Sequence, residues 1–290
     1  MSPPAELLLP YRAPFAADGL LSFLAARAIS GIEHVDDGTY RRSIATAEGG
    51  GAVVALTPDR DAVRLRVSGV DESDPEFETI VQKARRLFDL DADPIAIDEA
   101  LAADSALAPL VEAVPGTRVP GAVDGFELAV RAIVGQQVSV SGARTTLGHI
   151  VSRLGRPLAS PEHGITHLFP TPAAMAAAPR EHLPMPGARA EALRELARRV
   201  DAGDLDLSGL EGFTATRDAL DSIRGVGAWT LGYIAMRLGD PDASPTGDLG
   251  VRHGIAELGL PDDARSIAAR FETWRPWRAY ATMHLWQAGN

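Results

Sequence analysis

The second half of the chain is organised around one segment, Leu220-Asp221-Ser222-Ile223-Arg224-Gly225-Val226-Gly227-Ala228-Trp229-Thr230-Leu231-Gly232-Tyr233-Ile234-Ala235. The apolar residues before Gly225 suit the end of one helix, and Gly225 and Gly227 give the backbone freedom for a sharp turn. After the turn, apolar residues recur on one helical face. The segment therefore predicts a helical hairpin over residues 214–238.

The turn between the two helices is also a candidate phosphate site. Backbone N–H groups at the start of the second helix have no partner within that helix, and they can bind a phosphate without lysine or arginine. An ordinary glycine-containing hairpin is the competing interpretation, because short glycine patterns occur often by chance. The rest of the sequence has to decide between the two.

Composition excludes several kinds of site. The chain has 290 residues, enough for about two domains, and it contains no cysteine. Disulfides, thiolate zinc sites, iron–sulfur clusters and cysteine nucleophiles are therefore excluded. Lys83 is the single lysine, so a catalytic lysine would have to be this residue. The seven histidines form no metal-ligand pattern, and we interpret His163 and His167 as surface residues.

The formal net charge of −11 argues against a general affinity for nucleic acids. Acidic residues outnumber basic ones up to Glu112, whereas the two are nearly balanced beyond it. Any DNA contact in the second half would therefore depend on backbone amides and a few arginines. No apolar run is long enough to span a bilayer and no signal peptide is evident, so we expect a cytoplasmic protein without a membrane partner.

Strand and helix signals are mixed in residues 1–92. Val63, Leu65 and Val67 alternate with arginines, which is the period-two pattern of a half-buried strand. Asp74 and Pro75 are typical of a helix start. This part is predicted to be an α+β domain with an antiparallel sheet. The predicted strands are 7–11, 32–35, 40–45, 52–56 and 63–67, and the predicted helices are 18–28 and 75–88.

Strand signals vanish from residue 93 onward, and Gly, Pro and Asp separate helical segments. Residues 93–290 are therefore predicted to be an all-helical domain, so that the protein as a whole is mostly α. The predicted helices are 94–103, 125–136, 139–154, 171–178, 188–202, 214–223, 228–238, 248–258, 262–273 and 276–287.

Asp248 opens one of these helices and has two interpretations. An aspartate at a helix start is usually a cap, and Arg252, one turn later, could pair with it. Alternatively, helix N–H groups hold an ionised carboxylate that faces a developing positive charge. Position alone leaves both interpretations open.

Three aromatic residues and two glutamines are further candidates. Trp229 and Tyr233 share one face of the second hairpin helix, and Trp277 opens the last helix. Aromatics at helical spacing are more often core than cleft. Gln136 and Gln137 end an apolar helix, where they could cap it or reach a ligand.

These residues, with others spread over nearly the whole chain, resemble the helix-hairpin-helix DNA glycosylases, and within them the 3-methyladenine glycosylase II (AlkA) type. The matching segments are 24–28, 119–121, 126–141, 187–193, the hairpin and 274–280. The resemblance implies a mixed α/β domain beside two helical subdomains, with the active site in a cleft between the helices. It also implies hydrolysis of the N-glycosidic bond of an alkylated base, such as 3-methyladenine, flipped out of double-stranded DNA.

Site residues follow from the resemblance. The family's catalytic carboxylate corresponds to Asp248, and its base pocket corresponds to Phe23, Gln136, Trp229, Tyr233 and Trp277. DNA contacts would come from Gln137, in place of an apolar wedge, and from Gly225, Val226, Gly227 and Thr230 of the hairpin. The family hairpin can also hold Na⁺ or K⁺ through main-chain oxygens, here those of Asp221, Ile223 and Val226. No other cofactor is implied.

The residue types suit this chemistry. A base alkylated at a ring nitrogen is cationic, so it departs neutral and leaves a sugar with oxocarbenium character. A carboxylate stabilises that sugar, and aromatic faces attract a cationic base. Members that also cut the strand carry a lysine at the position of Trp229. We therefore expect a monomeric, monofunctional enzyme that leaves an abasic site, with Asp248 facing an aromatic-lined slot wide enough for one base.

Two other functions stay open at this point. The chain could bind damaged DNA without catalysis, or it could be a glycosylase for deaminated or oxidised bases. Measuring the release of free base from defined lesions separates these possibilities.

Overall fold

The alternating segment around Val63 forms strand β5 (Ala62–Ser68), which lies next to the edge strand β1 (Ala5–Pro10) in a five-stranded sheet. In the computed structural model, which describes residues 4–47, 49–245 and 247–289, Val63, Leu65 and Val67 are buried and Arg64 and Arg66 are exposed. All pairings in the sheet are antiparallel, in the order β1-β5-β4-β3-β2. The strands are β1 (Ala5–Pro10), β2 (Glu33–Asp36), β3 (Thr39–Ala45), β4 (Gly51–Pro58) and β5 (Ala62–Ser68).

Two helices accompany the sheet, α1 (Ala17–Arg27) and α2 (Pro75–Leu87). Asp74 caps α2 by accepting a hydrogen bond from the Glu76 N–H at 2.8 Å, as its position before Pro75 predicts. One apolar core lies between the sheet and these helices, formed by residues up to Leu90 together with Val123. The predicted α+β character of the first part, with its antiparallel sheet, is therefore confirmed.

Helices dominate the chain beyond α2, as the sequence predicts, and α4 is an addition to the predicted set. Their apolar faces form a second core, which also includes Ile29 and Ile32. The boundary after residue 92 stays a prediction. The helices are α3 (Pro94–Ala102), α4 (Ala108–Ala113), α5 (Gly125–Gly135), α6 (Val140–Leu154), α7 (Pro172–Ala176), α8 (Gly187–Asp201), α9 (Leu210–Asp221), α10 (Ala228–Arg237), α11 (Leu249–Glu257), α12 (Ala264–Thr273) and α13 (Arg278–Ala288), with a 3₁₀ turn at Arg180–His182.

A second hairpin of strands interrupts the helices, so the prediction of an all-helical second domain was wrong between residues 156 and 168. Strands β6 (Arg156–Glu162) and β7 (Ile165–Leu168) are antiparallel. They join through a turn in which His163 has a φ of 48°. Their buried residues Leu158, Ile165 and Leu168 pack against Val53 of the main sheet. This packing orders a segment that lacks a clear alternating pattern.

The histidines of this hairpin lie near the surface, as predicted. His163 is exposed, and His167 is half-buried with its Nδ1 atom 2.8 Å from the Thr166 hydroxyl. No helix among the described residues is both long enough and apolar enough to cross a bilayer.

Four charged side chains join the sheet to α5 in a buried ionic cluster, which consists of Glu33 and Arg42 from the sheet and Glu127 and Arg131 from α5. Arg42 Nη2 lies 2.7 Å from Glu127 Oε2, and Arg131 Nη2 lies 2.5 Å from Glu33 Oε2 and 2.7 Å from Glu127 Oε1. Tyr40 donates a 2.5 Å hydrogen bond to Glu33. The two carboxylates and two guanidinium groups balance in charge.

Glu33 shows what the ionic cluster does to a buried carboxylate. Burial alone would raise its pKa, but Arg131, Arg42 and the Tyr40 hydrogen bond lower it from 4.5 to about 2. Glu33 also accepts a 2.8 Å hydrogen bond from the Ile29 N–H. The cluster therefore fixes the end of α1 and the sheet against α5, and loss of one charge leaves its partners buried and unpaired.

Glu33→Gln should lower the free energy of unfolding at pH 7 by about 3–5 kcal/mol, because it leaves guanidinium charges uncompensated. The folded pKa of Glu33 lies below its unfolded value, so its contribution is present above pH 4.5 and lost toward pH 2. The difference between wild type and variant should shrink over that range. Urea unfolding at several pH values measures it, with exposed Glu72→Gln as the control. A difference that does not change with pH contradicts this account.

Candidate active site

The hairpin turn forms between α9 and α10, close to the predicted positions. Gly225 has a φ of +96°, which side chains rarely adopt. Gly227 differs from expectation, because its φ of −140° and ψ of −177° are extended values open to any residue. A Cβ atom at Gly227 would have open space around it. Its lack of a side chain keeps the exposed backbone of the turn accessible.

Backbone N–H groups point outward at the start of α10. The first intrahelical bond runs from the Leu231 N–H to the Gly227 carbonyl at 3.0 Å, so the three preceding N–H groups have no partner within the helix. Gly227 and Ala228 are exposed, whereas Val226 is buried and its N–H is bonded to the Ile223 carbonyl at 2.9 Å. A ligand at this turn would therefore meet main-chain atoms.

Gln136 faces the hairpin turn. Its Nε2 atom donates to the Gly225 carbonyl at 2.8 Å and to the Thr230 hydroxyl at 2.9 Å. Thr230 is 2% exposed as a whole residue, so little of its side chain or its backbone is open to DNA. The structure thus joins Gln136 to the hairpin, whereas the sequence placed it in a base pocket. Gln137, next to it, is exposed and has a φ of 54°.

Asp248 combines both interpretations of its sequence position. It is the N-cap of α11, and Oδ1 accepts a 2.9 Å hydrogen bond from the Val251 N–H. Oδ1 also accepts from Trp286 Nε1 at 2.8 Å, and Oδ2 accepts from Trp229 Nε1 at 2.7 Å. Neutral donors thus orient this half-buried carboxylate, and none of the ion pairs among the described residues involves it.

Arg252 forms no pair with Asp248. Its Nη2 atom lies 3.0 Å from Asp262, so the sequence-based alternative of a simple cap paired with Arg252 is incorrect. The negative charge of Asp248 is therefore available to a ligand.

Aromatic rings surround the carboxylate. Trp229 and Tyr233 stack with ring centroids 5.3 Å apart and planes 10° apart. Phe23 of α1 and Trp286 of α13 are nearly parallel at 6.1 Å, and Tyr233 lies 6.3 Å from Trp286. We refer to Phe23, Trp229, Tyr233 and Trp286 as the aromatic cluster. It joins α1 in the first part of the chain to two helices of the second, α10 and α13.

Trp277 lies apart from the aromatic cluster. Its ring packs edge-on against Tyr280 at 5.9 Å, and no ring pair among the described residues joins it to the cluster. The aromatic residue that α13 brings to Asp248 is Trp286, near the other end of the helix. Sequence reasoning missed it, because a tryptophan near the end of an apolar helix is typical of core packing.

The slot expected beside Asp248 is not open between these rings. A base stacked between two parallel rings requires about 7 Å between them, twice a van der Waals contact. The parallel pairs in the cluster are separated by 5.3 and 6.1 Å. A base would therefore bind beside the cluster or displace one of its rings.

The chain matches two known protein family models. Residues 6–124 match the AlkA N-terminal domain, and residues 130–279 match the HhH-GPD superfamily base excision DNA repair protein family. The chain belongs to the HhH-GPD superfamily. The resemblance drawn from the sequence is thereby confirmed.

Relatives cover nearly the whole chain. The chain is 44% identical over 97% of its length to a probable bifunctional transcriptional activator/DNA repair enzyme AlkA of Mycobacterium tuberculosis, but spans 56% of that protein. DNA-3-methyladenine glycosylase 2 of Escherichia coli is 35% identical, with 96% of this chain and 95% of that protein covered. A 3-methyladenine DNA-glycosylase structure from Archaeoglobus fulgidus has a TM-score of 0.82 at 23% identity, with 97% of both chains covered.

Three glycines allow the HhH-GPD core to bring Asp248 and Trp286 together. A Cβ atom on Gly232 would lie 2.2 Å from the Ser244 carbonyl oxygen, so its absence lets the segment before Asp248 pass close to α10. On α11, a Cβ atom on Gly250 would lie 2.8 Å from the Trp286 ring, and one on Gly254 would lie 2.3 Å from the Leu285 carbonyl oxygen. Close approach of α11 and α13 therefore requires small residues.

Two arginines line the aromatic cluster. Arg237 Nη1 donates to the Tyr233 hydroxyl at 2.7 Å, and its guanidinium carbon lies 5.1 Å from the Phe23 ring centroid. The guanidinium carbon of Arg27 lies 3.7 Å over the Phe23 ring. Burial would raise the pKa of Tyr233, but Arg237 and then Arg27 lower it. Sequence reasoning singled out neither arginine.

The monovalent cation site stays a prediction. Among the main-chain oxygens proposed as ligands, those of Asp221, Ile223 and Val226, the Ile223 oxygen accepts the Val226 N–H at 2.9 Å. Within the described ranges, no group of three His, Asp or Glu side chains is placed to hold a metal ion.

Gly254→Ala should destabilise the protein by about 1–3 kcal/mol, because the added methyl group forces α13 away from α11. Urea unfolding measures this loss. Gly187→Ala is the matched control, because a Cβ atom there meets nothing within 4 Å. Equal stability of both variants contradicts the close-packing explanation.

Proposed function

We propose that this chain is a DNA glycosylase that hydrolyses the N-glycosidic bond of alkylated bases flipped out of double-stranded DNA. The observation that supports it most is the carboxylate of Asp248, which follows the hairpin and is oriented by the indoles of Trp229 and Trp286. The E. coli relative is named DNA-3-methyladenine glycosylase 2, which supports a methylated purine as substrate. We propose that the enzyme acts as a cytoplasmic monomer.

Asp248 would act on the sugar. As the glycosidic bond breaks, its electron pair goes to the base and positive charge develops on the sugar ring. A fixed negative charge beside that ring stabilises it, because the carboxylate requires no reorganisation when the charge appears. A water molecule then adds to the sugar carbon and loses a proton. An alkylated purine that carries a positive charge departs neutral, so this step needs no general acid.

The surface beside the site suits a duplex. The outward N–H groups at the start of α10 can hold a phosphate. Gln137 is exposed on the adjacent α5–α6 connection, followed by Val138 and Val140, which are 45% and 42% exposed. Gln137 would fill the gap that the flipped base leaves. These contacts do not depend on net positive charge, which fits the acidic chain.

Asp248→Asn should reduce the rate of base release from methylated duplex DNA by at least about 100-fold, because the neutral amide no longer stabilises the sugar cation. Its affinity for duplex DNA that contains an abasic site should stay close to that of wild type. Chromatography of the released base measures the first quantity, and a fluorescence binding assay measures the second.

Asp263→Asn is the matched control, since Asp263 is also a helix N-cap but is exposed and lies at the start of α12. It should retain the wild-type rate. Full activity of Asp248→Asn would remove Asp248 from the mechanism. A wild-type protein that binds damaged duplex and releases no base would instead be a non-catalytic binder.

We also propose that the enzyme leaves the DNA strand intact. Trp229 stands where strand-cutting members carry a lysine, and its indole is bonded to Asp248. Lys83, the single lysine, lies on α2.

Borohydride added during base release should therefore trap no covalent protein–DNA adduct, because no lysine is available to form an imine with the sugar. Denaturing gels measure the adduct. The same gels should show strand breaks only after alkali or heat. A borohydride-dependent adduct with the wild-type protein would contradict this proposal.

A further inference from the structure

The guanidinium of Arg27 lies beside the aromatic cluster and has N–H donors available for a ligand. An arginine carries five N–H donors in a planar fork. Arg237 uses its donors on the carbonyls of Pro120 and Gly121 and on the Tyr233 hydroxyl. Among the described residues, the Arg27 guanidinium makes a long hydrogen bond of 3.4 Å to the Phe23 carbonyl and a hydrogen bond with the Tyr233 side chain, which leaves N–H groups for a ligand.

Contacts with Phe23 and Arg131 hold Arg27 in place, and they leave N–H groups of its guanidinium available for a ligand. Its guanidinium carbon lies 3.7 Å over the Phe23 ring, and its main-chain carbonyl accepts a 3.1 Å hydrogen bond from Arg131 of the ionic cluster. Burial lowers the pKa of Arg27, and the charge of Arg237 lowers it further, while Tyr233 and Asp248 raise it. A stacked guanidinium directs its N–H groups sideways, in the plane of the fork.

The two guanidinium groups lie against the aromatic rings, Arg27 over Phe23 and Arg237 near Phe23 and Tyr233. A base bound beside the aromatic cluster would therefore lie close to Arg27. A neutral base offers carbonyl and ring-nitrogen acceptors that can accept hydrogen bonds from Arg27.

We propose that Arg27 is a specificity-determining residue that donates hydrogen bonds to neutral departing bases, such as hypoxanthine, the base left by deamination of adenine. The inference rests on the proposed glycosylase function. When the bond to a neutral base breaks, the electron pair leaves an anionic base. The Arg27 N–H groups stabilise that anion, and the proton lost by the attacking water finally neutralises it. A cationic base departs neutral and has little need of this help.

Two duplexes test the proposal, one with a single hypoxanthine and one with a single 7-methylguanine, under saturating enzyme in single turnover. Arg27→Met should lower the rate of hypoxanthine release by about 100-fold, the effect of losing a donor to a developing anion. Release of 7-methylguanine should change by less than about threefold, because its base departs neutral. Arg27→Lys, which keeps the charge but not the planar fork, should fall between wild type and Arg27→Met on hypoxanthine.

A control variant and the wild-type rates on both duplexes distinguish a specific role of Arg27 from a structural one. Arg66→Met, an exposed strand position, should match wild type on both duplexes. Equal losses of Arg27→Met on both bases would show a merely structural role and overturn the proposal, as would unchanged rates. A wild-type protein that releases 7-methylguanine but no hypoxanthine overturns the Arg27 role and leaves the glycosylase function standing. Release of neither base, in contrast, means that the proposed function itself fails.

Discussion

The buried ionic cluster of Glu33, Arg42, Glu127 and Arg131 is the constraint on which the site depends. It joins the sheet to α5, and Arg131 also holds the carbonyl of Arg27 at the end of α1. Phe23 lies one turn earlier on α1, so this anchoring sets where its ring stands. Buried charges tolerate only arrangements in which each has its partners. The first part of the chain is thus locked in one position relative to the helices that carry Asp248.

In the helical second part of the chain, Asp248 is held by donors that carry no net charge. Two indoles and one backbone amide fix the carboxylate without neutralising it. A cationic partner paired directly with Asp248 would offset the charge that, in the proposed mechanism, stabilises a positive sugar. Close packing of α11 and α13 through Gly250 and Gly254 is what brings the second indole within reach.

Much of the fold was predictable because its signals are local. Period-two alternation marked the strands around Val63, and helical periodicity with caps marked most helices. The β6–β7 hairpin was missed because its order comes from packing against Val53, far away in sequence. Within the site, Asp248, Trp229, Tyr233 and Phe23 were found from a motif and a resemblance that extends over the chain.

The remaining site residues depend on contacts between elements, which no local pattern encodes. Trp286 reaches Asp248 because two helices pack closely, whereas the resemblance pointed to Trp277 at the other end of α13. Gln136 faces the hairpin because Thr230 and the Gly225 carbonyl offer it partners. Arg27 and Arg237 acquire their roles only when α1 is placed beside α10.

The bridge made by Gln136 has a mechanical consequence. It ties the α5–α6 connection to the hairpin turn, and Gln137 is the next residue along the chain. The connection that would contact the base stack and the turn that would bind the backbone are therefore joined by hydrogen bonds. The protein thus sets their spacing before DNA binds, and a base pair loosened by damage costs less to open against it.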